Sequence, residues 1–225
     1  MIKLRKLFSR SPLTEKTSKN VIVVSGLPRS GTSMMMKMLA EGGLPILTDE
    51  IRNADEDNPN GYYEFEPVKQ LADGQIKWLA NANGKAVKII SALLEYLPGD
   101  YRYKVIFMER AIQEILASQQ KMLSRRNEKS AISDAEMQAQ FEQHLAASKY
   151  WLARQPNVDV LYVEYNKMIA VPDEYCAHIA EFLDVRLNRG DHLVAGPNVP
   201  ADRTNISLNN GNSDLCHELF NHLTI

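Results

Sequence analysis

Residues 20–33 read Asn-Val-Ile-Val-Val-Ser-Gly-Leu-Pro-Arg-Ser-Gly-Thr-Ser, and this stretch decides the fold. It begins with a short apolar, β-branched run of the kind that forms a buried parallel strand. Two glycines then bracket a loop, and from Thr32 to Glu41 the chain is rich in Met, Leu, Ala and Lys until it reaches Gly42 and Gly43. This order predicts a strand, a glycine-rich loop and a helix that ends at the two glycines.

The loop from Gly26 to Ser33 matches the phosphate-binding pattern G-x-x-x-x-G-x-[ST] in the context of strand and helix that the pattern requires. Glycines let backbone N–H groups converge on phosphate oxygens, and the start of the helix adds a favourable partial charge. The alternative is a tight strand-to-helix turn without a ligand. The residues predicted to bind phosphate are Pro28, Arg29, Ser30, Gly31, Thr32 and Ser33.

One feature of nucleoside triphosphatases is missing from this loop. Thr32 stands before Ser33, where those proteins carry the lysine that contacts the β- and γ-phosphates. A site that holds a single 5′-phosphate needs only backbone amides, hydroxyls and one nearby cation, and Arg29 supplies such a cation. The missing lysine therefore argues against triphosphate chemistry.

The rest of the chain alternates β-type runs with helical stretches. β-type runs occupy residues 86–90, 104–108 and 158–163, and residues 45–48 are a candidate for a further short strand. Helices are predicted at 66–80, at 172–183 and over 111–155, where two helices are broken near residues 125–130. Such alternation predicts an α/β protein, a P-loop-type three-layer fold with a central, mostly parallel β-sheet flanked by helices.

Composition indicates one globular domain in a chain of 225 residues with a net charge of −2. This charge gives no general reason to expect a nucleic-acid partner. Cys176 and Cys216 belong to no C-x-x-C or Cys/His cluster, so neither a disulfide framework nor a zinc site is indicated. No apolar run approaches the roughly 20 residues that span a bilayer, and we expect a cytoplasmic protein. The oligomeric state is not set by these features.

Three regions are expected along the chain. Residues 1–19 form a basic leader, expected to be flexible, whose interleaved apolar residues would allow weak contact with a membrane surface. Residues 20–185 form the P-loop domain, and residues 186–225 form a flap and a short helix packed on the same domain.

Residues 27–33, Leu-Pro-Arg-Ser-Gly-Thr-Ser, resemble the 5′-phosphosulfate-binding loop of the sulfotransferases that use 3′-phosphoadenosine 5′-phosphosulfate (PAPS). The form with arginine resembles the tyrosylprotein and bacterial members of that family. The resemblance implies PAPS as donor, adenosine 3′,5′-bisphosphate as product and no required metal. It covers roughly residues 20–185.

Two further segments resemble the same family in the same order. Residues 109–118 are similar to its 3′-phosphate-binding segment, which implies that Arg110 and Ser118 bind the 3′-phosphate. The alternative is an exposed helix start in which Arg110 and Glu114 form a solvated ion pair. Residues 160–168 resemble the family's late strand, which implies that Tyr165 contacts the adenine. Further 3′-phosphate contacts are implied for the basic C-terminal segment, where the candidates are Arg186, Arg189 and Arg203.

Sulfuryl transfer needs an in-line acceptor, a base for its proton and positive charge around the sulfuryl and leaving groups. Arg29 is the candidate for the charge on the leaving 5′-phosphate. Lys88, in a strand where the family often places a lysine, is the candidate for the sulfuryl side, with an exposed strand cation as the alternative. The resemblance to the tyrosylprotein branch implies Glu50 as base. Glu64, a carboxylate among aromatic residues, is its rival, and for both the alternative is a surface carboxylate.

The sequence thus predicts a sulfotransferase that acts on a hydroxyl or amine of a small-molecule, glycan or peptide acceptor. The first alternative is a divergent P-loop kinase, which would need a lysine at the position of Thr32 and a metal-binding aspartate at a strand end. The second is a non-catalytic nucleotide-binding module that kept the phosphate sites. The five histidines, His144 among them, are interpreted as ordinary residues that hold no metal.

Overall fold

The computed structural model describes residues 20–49, 51, 55, 58, 61–128, 130 and 132–185. The predictions made for residues 1–19, for Glu50 and for residues 186–225 lie outside them. The strands are β1 (Asn20–Gly26), β2 (Ala86–Lys88), β3 (Arg102–Glu109) and β4 (Val158–Glu164). The α-helices are α1 (Thr32–Glu41), α2 (Ile112–Arg125), α3 (Asp134–Leu152), α4 (Tyr165–Ala170) and α5 (Pro172–Leu183). Short 3-10 helices cover Glu66–Asp73, Lys77–Asn81 and Ser91–Tyr96.

The four strands form one sheet in the order β2-β1-β3-β4, and every neighbouring pair is parallel. Val24 of β1 pairs with Lys88 of β2, and Gly26 at the end of β1 pairs with Met108 of β3. In parallel sheets the ligand crevice lies beyond the carboxyl ends of the strands. The pairing therefore brings the glycine loop, the end of β2 and the ends of β3 and β4 to one edge.

Both faces of the sheet are covered, which gives three layers. The alternating residues of β1 divide between two cores: Ile22 and Val24 pack with α1 and α5, while Val21 and Val23 pack on the other side with the 3-10 helices and α3. Helix α1 contributes Met34, Met35, Met36 and Met38 to the first core. The predicted α/β fold with a parallel sheet between helices is confirmed.

The element boundaries show where local patterns failed. The single helix predicted at 66–80 is wrong: two 3-10 helices stand there, separated at Gly74, which has a φ of 74°. The strand predicted to reach Ile90 ends at Lys88. The candidate strand at 45–48 is reduced to one isolated parallel bridge between Ile46 and Ala86. The break near residues 125–130 is confirmed, and α3 begins beyond it with a capping box.

None of the helices in the described part of the chain combines the length and the apolar character needed to cross a bilayer.

Candidate functional site

The glycine loop passes very close to the end of β3. Gly26 has a φ of 149°, and a Cβ at this position would lie 2.7 Å from the carbonyl oxygen of Met108 and 2.6 Å from the Ser30 hydroxyl. Ser30, 1% exposed, donates from both its hydroxyl and its backbone N–H to the carbonyl of Leu27, at 2.7 and 3.2 Å. The buried Ser30 hydroxyl therefore stabilises the turn between Leu27 and Ser30.

Gly31 connects the loop to α1 and touches an aromatic ring. Its φ is 100°, and a Cβ at this position would lie 2.4 Å from Cδ2 of Tyr165. The Gly31 carbonyl accepts the N–H of Met35 at 3.1 Å, which starts the helix. A side chain at position 31 would collide with the ring, so only glycine serves both the backbone conformation and the contact.

Arg29 adopts the left-handed conformation that non-glycine residues rarely take, with a φ of 68°. Its Nε donates to the Ser118 hydroxyl at 2.9 Å, and its carbonyl accepts from Nη1 of Arg110 at 3.2 Å. The structure thus brings together three predicted phosphate contacts that lie far apart in sequence. Two guanidinium groups and a hydroxyl form an electropositive cluster beside the first turn of α1.

Arg110 also has an acidic partner. Its Nε donates to Glu114 at 2.8 Å, so the i,i+4 pair considered from the sequence coexists with the cluster around Arg29. The other carboxylate oxygen of Glu114 accepts from Nδ2 of Asn166 at 2.7 Å. The hydrogen bond from Arg110, followed by that from Asn166, lowers the pKa of the Glu114 carboxyl. Sequence reasoning gave no role to Asn166.

The opposite side of the loop contains Lys88, at the carboxyl end of β2. Its side chain is only 10% exposed. The ammonium group donates to the Ser33 hydroxyl at 3.4 Å and to the carbonyl of Tyr62, and it lies 3.8 Å from a carboxylate oxygen of Glu64. The structure therefore places Lys88 and Glu64, two of the predicted catalytic residues, beside each other.

Hydrogen bonds hold the segment that contains Glu64 against the start of α1. Nδ2 of Asn58 donates to the Ser33 hydroxyl at 3.0 Å, and the Tyr62 hydroxyl donates to the Asp55 carboxylate at 2.7 and 2.8 Å. The Thr48 hydroxyl donates to the carbonyl of Glu64 at 2.9 Å. The Ser33 side chain, predicted to bind phosphate, thus also anchors this segment.

The remaining loop residues differ in exposure: Pro28 is exposed, whereas Thr32, the first residue of α1, is half-buried.

On the other face of the sheet, Nε2 of His144 lies 2.8 Å from the Ser91 hydroxyl and 3.3 Å from that of Ser148. Sequence reasoning interpreted His144 as ordinary, and its spacing in the sequence from Ser91 offered no signal for this contact.

Neither a protein-family model nor a curated protein matches this chain. Among solved structures it is similar to the sulfotransferase domain of an olefin synthase from Synechococcus, with a TM-score of 0.47, 14% identity and coverage of 79% of this chain and 80% of that one. It is similar to a sulfotransferase from Mycobacterium tuberculosis, with a TM-score of 0.47, 17% identity and coverage of 76% and 69%. A sulfotransferase from Alicyclobacillus acidocaldarius gives a TM-score of 0.42 at 14% identity, with coverage of 82% and 88%. These similarities concern the fold alone.

Proposed function

We propose that this protein is a sulfotransferase that transfers the sulfuryl group of PAPS to an acceptor hydroxyl or amine and releases adenosine 3′,5′-bisphosphate. The proposal rests chiefly on one observation, the cluster in which Arg29 contacts both Ser118 and Arg110. The glycine loop and the start of α1 offer one site for a phosphate, and Arg110 with Ser118 offers a second beside it. A nucleotide with phosphates on both its 5′ and 3′ positions would use both.

The side chains near the loop suit an in-line transfer. The acceptor oxygen or nitrogen would form a bond to sulfur while the bond between sulfur and the bridging oxygen of the 5′-phosphate breaks, and the electron pair would leave with the phosphate. Arg29 would stabilise the charge that develops there, and Lys88 would stabilise the sulfuryl oxygens. The acceptor proton would pass to a carboxylate.

Glu64 is our candidate for that carboxylate because it lies beside the Lys88 ammonium. Glu50, the other candidate, lies outside the described residues and remains a prediction. The acceptor would be a small molecule, a glycan or a peptide that enters from the side of Lys88. We also propose a cytoplasmic location, where PAPS would be the available donor.

Binding of the product tests the donor assignment. Calorimetry should show that adenosine 3′,5′-bisphosphate binds more tightly than ATP, with or without Mg²⁺. Tighter binding of ATP that depends on Mg²⁺ would instead support a P-loop kinase. Arg110→Ala should weaken bisphosphate binding by roughly tenfold to a hundredfold, because a charge-assisted hydrogen bond is lost.

The chain offers a matched control for that substitution. Arg110 lies over the ring of Tyr165, and Arg154 likewise stacks on a tyrosine, Tyr150. Arg154, however, follows α3 near the amino end of β4, away from the loop. Arg154→Ala should leave bisphosphate affinity unchanged. Equal losses in the two variants would contradict the assignment of the second phosphate site.

Transfer itself is tested with sulfur-labelled PAPS and pooled cell metabolites as acceptors. Glu64→Gln should reduce label transfer at least tenfold if Glu64 is the base. Glu66→Gln is the control, because Glu66 is an exposed carboxylate that pairs with Lys69. A protein that binds the bisphosphate tightly but transfers no label to any acceptor would be the non-catalytic module.

A further inference from the structure

We infer that Glu114, Tyr165 and Asn166 are positioning residues that hold the Arg110 guanidinium in place for the second phosphate of the nucleotide. This inference rests on the proposed function and deepens it, because it concerns how the 3′-phosphate would be selected. It also gives Tyr165 a role different from the adenine contact that the family resemblance implies.

Three contacts fix the Arg110 guanidinium from different directions. Nε donates to Glu114 at 2.8 Å, Nη1 donates to the Arg29 carbonyl at 3.2 Å, and the guanidinium carbon lies 4.4 Å from the centre of the Tyr165 ring. A guanidinium has five N–H donors. Among the described residues, these two hydrogen bonds use one donor on Nε and one on Nη1, so that Nη2 and the second hydrogen of Nη1 could meet a phosphate.

Glu114 is itself held from two sides. One carboxylate oxygen accepts from Arg110, and the other accepts from Asn166 at 2.7 Å. Glu114 contacts the guanidinium through Nε with one oxygen while Asn166 engages its other oxygen, and among the described contacts neither oxygen hydrogen-bonds an Nη nitrogen. This arrangement suits a brace, whereas a carboxylate that bound both Nε and Nη2 would compete with phosphate.

Helix α4 supplies two parts of the brace through consecutive residues, Tyr165 and Asn166. The register of the sheet places this helix start next to the end of β3, because Glu164 pairs with Glu109. The Tyr165 ring in turn rests against Gly31, where no Cβ would fit. The brace therefore connects the phosphate loop, β3, α2 and α4 around a single arginine.

Such a brace has a thermodynamic consequence. Ordering a long, flexible side chain during binding reduces affinity, and a side chain that is ordered in advance avoids this loss. Removing the brace should therefore reduce affinity for a nucleotide that uses Arg110 and leave affinity for one that does not. Adenosine 3′,5′-bisphosphate and adenosine 5′-monophosphate are such a pair.

The measurement is the ratio of the two dissociation constants, obtained by calorimetry on the full chain. In Glu114→Ala and in Asn166→Ala the preference for the bisphosphate should fall about threefold to tenfold, while affinity for the monophosphate should stay within about twofold. Retained monophosphate binding also shows that each variant is folded. Glu142→Ala is the control, since Glu142 is an exposed helical carboxylate that accepts from Gln138.

A double-mutant cycle tests whether the brace acts through Arg110. In an Arg110→Ala background, Glu114→Ala should cause no further loss of preference. Tyr165→Phe, which keeps the ring, should retain the wild-type preference, and Tyr165→Ala should lower it. Equal weakening of both nucleotides by Tyr165→Ala would instead support the adenine contact and overturn the assignment of Tyr165.

The failures of the two proposals can be told apart. If the wild-type protein binds the two nucleotides equally well, both the second phosphate site and its brace are wrong. If the wild type prefers the bisphosphate but Glu114→Ala keeps or increases that preference, the proposed function stands and the brace is wrong.

Discussion

On the β3 side of the glycine loop, Arg110 is held by a carboxylate and an aromatic ring and is 22% exposed, whereas on the β2 side Lys88 is 10% exposed and contacts a backbone carbonyl, a hydroxyl and a carboxylate. Arg110 is held by Glu114, Tyr165 and the Arg29 carbonyl, and its hydrogen bonds to described residues use two of its five N–H donors. Lys88 is nearly buried and binds the carbonyl of Tyr62 and the Ser33 hydroxyl. Under the proposed function, the β3 side would select the nucleotide and the β2 side would carry out the chemistry.

The largest expected effect tests that division directly. Lys88→Met keeps the length of the side chain and removes its charge, so transfer of label from PAPS should fall about a hundredfold to a thousandfold. Affinity for adenosine 3′,5′-bisphosphate, measured by calorimetry, should change less than about threefold. Lys69→Met, on the exposed surface, is the control. A large loss of bisphosphate affinity in Lys88→Met would mean that the two sides are not separate.

The second test concerns the β3 side. Gly31→Ala forces an alanine into the left-handed region of backbone conformation and brings its Cβ into collision with Tyr165. The free energy of unfolding should therefore fall by about 3 kcal/mol in urea titrations. Gly74→Ala is matched, because its φ of 74° is also positive but nothing lies within 4 Å of the added carbon. That variant should lose only about 1 to 2 kcal/mol.

A double substitution separates the two causes. Adding Tyr165→Ala to Gly31→Ala should recover the part of the loss that comes from the collision, because the conformational strain alone would remain. No recovery would show that the ring moves aside easily and does not press on the loop.

A smaller effect is expected from removing the Ser33 hydroxyl, which anchors the neighbouring segment on the β2 side. Ser33→Ala removes the hydroxyl that Asn58 and Lys88 share, and the free energy of unfolding should fall by about 1 kcal/mol. Ser124→Ala, on the exposed face of α2, should cause no measurable loss. If both substitutions have the same effect, Ser33 does not hold the neighbouring segment.

The smallest effect is a pH dependence at Arg110 and Glu114. The pKa of the Glu114 carboxyl is lowered in the folded protein, so the ion pair stabilises the fold above the ordinary pKa of 4.5 and this contribution is lost as pH falls through the lowered value. Because the Glu114 side chain is 38% exposed, solvent screens the pair and the contribution should be only a few tenths of a kcal/mol.

Glu114→Gln measures that contribution. The difference in unfolding free energy between wild type and variant should shrink as the pH is lowered from about 6 to about 3. Glu142→Gln should show no such trend, and a difference that grows in acid would contradict the sign.

Local sequence patterns predicted most of the fold because most of these strands and helices are set by the residues within them. The β-branched run before Gly26 gave β1, and the bounds predicted for α1 and α5 are those observed. The helix predicted at 66–80 failed because its apolar residues suit two short 3-10 helices as well as one α-helix, and Gly74 separates them. Gly74, in the left-handed conformation, is itself a local helix breaker that the predicted helix did not take into account.

The candidate site was only partly predictable. Arg29, Arg110 and Ser118 lie in recognisable segments, and the parallel sheet brings those segments to one edge. Asn166 and His144 are different, because each makes a hydrogen bond to a residue more than 50 positions away. A hydrogen bond of that kind depends on how helices pack, and no local pattern reports it.

The four methionines of α1 have a practical consequence for observing this protein at work. Met35 and Met36, in the first turn after the glycine loop, are fully buried, and the Met108 methyl group lies 3.5 Å from where a Cβ on Gly31 would be. Methionine methyl groups give sharp, separable signals in nuclear magnetic resonance when labelled with carbon-13. These methyl groups thus offer spectroscopic reporters beside the loop, through which occupancy of the proposed nucleotide site could be followed without attaching any dye.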